Sequence, residues 1–93
     1  MQFFRLNRLD IMINDSYRTK ILNIAAYLYA TGLQLVDTTK ENSEVFFIFT
    51  PKSKAEQLVE SYFAGTASVN PRELFARLND LRDLIFSGGH KNG

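Results

Sequence analysis

The side chains that could do chemistry are few, and their spacing limits what they could do. A hydrolase or transferase needs a nucleophile with a base within hydrogen-bond reach. The one histidine, His90, sits in the run "SGGHKNG", where neighbouring glycines give it no fixed frame. There is no cysteine, so thiolate metal sites and a disulfide framework are excluded. A metal site needs clustered His, Cys or carboxylate ligands. Glu56 and Glu60 would share one helix face, as would Asp80 and Asp83, but each pair reads as ordinary solvated charge. The glycine run also lacks the spacing of a phosphate-binding loop. These residues argue against an enzyme, and no catalytic residue, metal or cofactor is expected.

The residues that could bind are more informative. In "EVFFIFTP", Glu44 to Pro51, four large apolar side chains follow one another. A strand sends alternate side chains to opposite faces, so this one is apolar on both. With Phe47 and Phe49 turned to the chain's own helices, Phe46 and Ile48 lie on the other face, joined by Val36 from a neighbouring strand. Three covers are open for that face. The N-terminal residues Phe3, Phe4, Leu6, Ile11 and Ile13 rank first, a symmetric dimer second, and stacked bases third. Base stacking normally accompanies a basic groove. Arg18, Lys52 and Lys54 are the nearest cations, but the net charge is only +1. Arg72 is a further candidate. It falls in the first turn of a helix, where the dipole disfavours a cation. It either pairs with Glu73 or another nearby acid, or meets a partner's carboxylate or phosphate.

The elements that must position these residues follow from caps and periodicity. "NPRELFARLNDLRDLIFSGG" places Asn70 as N-cap, Pro71 at the first helical position and Glu73 where it could reach back to Asn70. Leu74, Leu78, Leu81 and Ile85 recur at helical spacing, with Phe75 and Leu84 widening the stripe. This predicts a helix over 71–86, ended by Gly88 and Gly89. In "SKAEQLVESYFAG", Ser53 and Glu56 suggest a capping box. Ala55, Leu58, Val59, Tyr62 and Phe63 would form its buried face, and Gly65 its stop. "TKILNIAAYLYATG" predicts an earlier helix between Thr19 and Gly32, although Asp15 or Ser16 could also cap it. Leu33–Thr38 and Glu44–Thr50 read as a β-hairpin. "LDIMI" is a candidate third strand.

From Thr19 onward the chain resembles a family of small domains of unknown function found in bacteria and their phages. The shared pattern is a Thr-capped helix with an Ala-Ala-x-Leu centre, a Phe-x-Phe strand, a helix closing on paired aromatics and glycine, and a last helix opening Val-x-Pro-Arg. Here those positions are Thr19, Ala25, Ala26, Leu28 and Gly32, then Phe47 and Phe49, then Tyr62, Phe63 and Gly65, then Val69, Pro71 and Arg72. Residues 1–18 fall outside the pattern. The resemblance implies a fold and an origin, and it carries over no catalytic residue.

Ninety-three residues, 45% of them hydrophobic, make one domain. No apolar run is long enough for a membrane span, and no signal segment is evident, so a cytoplasmic protein is expected. The expected fold is α+β in the order (β)-α-β-β-α-α: a small antiparallel sheet of two or three strands with three helices packed on it. It would occupy residues 1–87, with a flexible tail over 88–93. The expected role is that of an accessory domain, docking on a protein partner or on itself. A nucleic-acid-associated module is the alternative.

Overall fold

A computed structural model describes residues 15–90, with side chains described through 86. The elements are β1 (Tyr17–Thr19), α1 (Leu22–Ala30), β2 (Gln34–Glu41), β3 (Glu44–Thr50), α2 (Lys52–Ala64) and α3 (Pro71–His90). The fold is α+β with one antiparallel sheet in the order β1-β3-β2. The apolar strand β3 is therefore central, which explains why it is apolar on both faces. Its Phe47 and Phe49 enter the core cluster with α1, Ala55 of α2 and Leu81 of α3. Ile48 is also buried, but outside that cluster.

The register sorts the sheet into two faces. Tyr17 pairs with Phe49 and Thr19 with Phe47 on the helix side, while Arg18 pairs with Ile48 on the outer side. Thr39 lies opposite Phe46. β2 and β3 are joined by Asn42 and Ser43, both at positive φ (53° and 70°). Two such residues form the tight turn whose twist matches a hairpin. The pairing shifts between Leu35 and Asp37, so Val36 is the extra residue of a β-bulge. The simple alternation expected for Val36 stops there.

α1 is the hub. Ile24 to Leu28 are five consecutive buried residues, so this helix is enclosed on nearly every side. Ala25 and Ala26 have no bulk to hold neighbours away. α3 packs chiefly on α1, whereas α2 rests more lightly on α1, β3 and β1. α1 closes with a double bond pattern: Gly32 N–H donates to Tyr29 O and Leu33 N–H to Leu28 O. Gly32 has φ +105°, which releases the chain into β2.

Several local expectations are corrected. Thr19 does not cap α1: it ends β1, and its Oγ1 accepts from Ile21 N–H at 3.1 Å. Ser53 does not cap α2, which starts one residue earlier, at Lys52. Asp15 Oδ1 instead accepts the Lys52 N–H at 3.1 Å, from far away in sequence. Phe63, Phe75 and Leu84 are exposed rather than buried. α3 has more apolar positions than one helix face can bury, so its outer members fall outside the core. α3 also continues through Gly88 and Gly89 to His90. Glycine weakens a helix without forbidding it, and extending a helix already formed costs little per residue. The strand expected at "LDIMI", the cover expected from Phe3 to Ile13 and tail residues 91–93 lie outside the described residues.

Candidate functional site

The outer sheet face gathers three of the sequence candidates. The Arg18 guanidinium lies over the Phe46 ring, its carbon 4.0 Å from the ring centroid. Arg18 also forms an ion pair with Glu41 at the far end of β2, so it spans the central strand. Lys20 Nζ pairs with Glu44 Oε2 at 2.9 Å. Phe46 and Ile48 are thus half-buried and buried, respectively, beside a cation already engaged. Val36 stands at the bulge. Lys52 and Lys54 lie exposed in the first turn of α2.

Arg72 sits on a different element, in the first turn of α3. Asn70 Oδ1 caps that turn, accepting from Arg72 N–H at 2.9 Å and Glu73 N–H at 3.2 Å. The Glu73 carboxylate turns to Arg77 Nε, 2.9 Å away, and Asp80 accepts from the same guanidinium at 2.7 Å. These two hydrogen bonds, Glu73 first, raise the Arg77 pKa above its ordinary value. The pairing of Arg72 with Glu73 is therefore not made. Among the described residues Arg72 has no ion pair.

A second surface lies on the helical side. α2 and α3 diverge over α1 and leave an apolar groove of about 350 Å³. Ala26 and Tyr27 of α1 form its floor, Tyr62 of α2 one wall, and Leu74, Phe75 and Leu78 of α3 the other. Val69, in the connection between α2 and α3, closes one end. Tyr62 stacks at a tilt on Tyr27, 5.7 Å between centroids, and meets Phe63 edge-on at 5.2 Å. Phe63 is 71% exposed and Phe75 61%. Neither Phe was a sequence candidate for binding. For Phe75 the available signal was the excess of apolar positions on α3, which one core stripe could not absorb; Phe63, at core spacing on α2, carried none.

Among the described residues, no three His, Cys, Asp or Glu side chains group as metal ligands. No helix among them is long and apolar enough to cross a membrane. No curated protein and no solved structure matches the chain. One family profile, that of Domain of unknown function (DUF5659), does match, over residues 14–87. That span includes every described element up to the last turn of α3, and the chain belongs to this family.

Proposed function

We propose that this is a non-catalytic docking domain, a cytoplasmic accessory protein of bacterial or phage origin that binds another protein through the α2–α3 groove. The observation that carries the reading is Phe75, largely exposed on the wall of an apolar groove, with the exposed Phe63 set edge-on to Tyr62 of the facing wall. Large exposed apolar side chains that cluster beside a depression mark interaction surfaces. A nucleic-acid role through Phe46 has weaker support. Arg18 occupies one face of that ring, and Arg18 and Lys20 are engaged by carboxylates.

The test compares the full chain with a Phe63→Ser/Phe75→Ser variant as bait. A protein retained by the first, lost by the second, and bound again when purified supports the reading. A partner that survives the loss of both phenylalanines places docking elsewhere. Binding to single-stranded nucleic acid that falls steeply with salt would favour the alternative.

A further inference from the structure

We propose that the groove receives an acidic amphipathic helix from another protein, an inference that rests on the docking role above. Backbone satisfaction favours a helix as the occupant. Most of the groove is lined by side chains on helices, whose own N–H and C=O groups are bonded within each helix; only Ala67 and Val69 come from the connection between α2 and α3. An extended peptide would find few backbone partners there, while a helix brings its own.

Charge along α3 favours an acidic one. Phe75, Asn79, Arg82 and Phe86 recur at helical spacing and are all exposed, forming one stripe along α3. Arg72 lies one turn before Phe75. Neither Arg72 nor Arg82 has an ion pair among the described residues. The third arginine of α3, Arg77, is bonded to Glu73 and Asp80 on another flank of the helix. Asp83 is the acid closest to Arg82 along α3, one residue on and about 100° around the helix. Phe75 lines the groove, and from it the exposed stripe runs on along α3 to Phe86, about 16 Å, matching some three turns of a bound helix.

Charge also separates this occupant from two others. A second copy docking through the same stripe would set arginines against arginines. The chain's own first fourteen residues carry Arg5 and Arg8 against one acid, Asp10. Neither supplies the acidic flank that Arg72 and Arg82 ask for.

The experiment uses the full chain and two labelled designed peptides of about fifteen residues, long enough to span the stripe as a helix. Both carry the same leucine stripe at helical spacing. One is flanked by glutamates, the other by lysines. Fluorescence anisotropy should show the acidic peptide binding at least about tenfold more tightly at low salt. Arg72→Glu/Arg82→Glu should reverse that preference, and Phe75→Ser should weaken both peptides, with circular dichroism unchanged.

Equal binding of both peptides, untouched by the arginine reversal, overturns the charge assignment and leaves the groove standing. Binding indifferent to Phe75→Ser overturns the groove reading as well. No binding of the acidic peptide overturns the proposal outright. A dimer dispersed by Phe75→Lys identifies a second copy as the occupant instead. Tighter peptide binding after Phe3→Ser/Phe4→Ser identifies the chain's own N-terminal segment.

Discussion

The guanidinium of Arg18 sits over the ring of Phe46: its carbon is 4.0 Å from the ring centroid, and the same group reaches on to Glu41. One side chain from an edge strand thus shields an aromatic ring on the central strand and ties down the other edge. Cation–π contacts at exposed sites contribute about 0.5–1 kcal/mol. Both ion-pair partners are about half exposed, so solvent screening leaves that pair about 0–1 kcal/mol.

The two contacts of Arg18 should therefore separate by salt. A double-mutant cycle of Arg18→Ala with Phe46→Leu should show a coupling of about 0.5–1 kcal/mol that changes little with added salt. The cycle with Glu41→Gln should lose most of its coupling at high salt. Urea denaturation at two ionic strengths measures both. Equal salt sensitivity would mean that the ring contact contributes nothing of its own.

The core should be ranked by burial rather than by hydrophobic pattern. Leu81 is fully buried, while Leu78 is only partly so. Leu81→Ala should cost about 2–5 kcal/mol, and Leu78→Ala less. Asn70→Ala should cost about 0.5–2 kcal/mol through the lost cap on Arg72 and Glu73 N–H. Chemical denaturation checks the order, and a cap variant worse than Leu81→Ala contradicts it.

Phenylalanines should divide sharply. Phe49 is wholly enclosed, so Phe49→Ala should cost about 3–5 kcal/mol. Phe63→Ser and Phe75→Ser should each stay within about 0.5 kcal/mol of the parent. Thermal melts decide this. A large loss at Phe75 would show that the groove wall belongs to the core.

Cap chemistry at α2 should also read opposite to its sequence. Asp15→Ala should destabilise by about 0.5–2 kcal/mol, because it removes the acceptor for Lys52 N–H. Ser53→Ala should be close to neutral, since no side-chain hydrogen bond caps α2 from within its own turn. Melting temperatures of the two variants, side by side, test the assignment.

Much of the fold was legible because its signals are local. β3 spans Glu44–Thr50 as its apolar run predicts, and Asn70 caps α3 as its residue type predicts. The miss at β1 has a physical reason. Tyr17, Arg18 and Thr19 carry no pattern of their own, and they become a strand only because Phe47 to Phe49 lie alongside. Asp15 looked like a cap and is one, but for a helix thirty-seven residues away. The candidate site was harder still. Phe63 and Phe75 stand at core spacing, yet both lie outside the core, Phe75 on the wall of the groove. Phe46, Ile48 and Arg18 do converge, though with Arg18 as the lid on Phe46 rather than as a free charge.

The bulge at Val36 bears on self-association. β2 is an edge strand of eight residues, long enough to template growth of the sheet by another molecule. Growth of that kind needs a flat, regular ladder. The bulge bends and twists the edge, and exposed Asp37, Lys40 and Glu41 line the remainder. An incoming copy of the same strand would have to fit both the kink and the charges. The irregularity that spoils the alternation of β2 thus guards the edge against runaway stacking into fibrils.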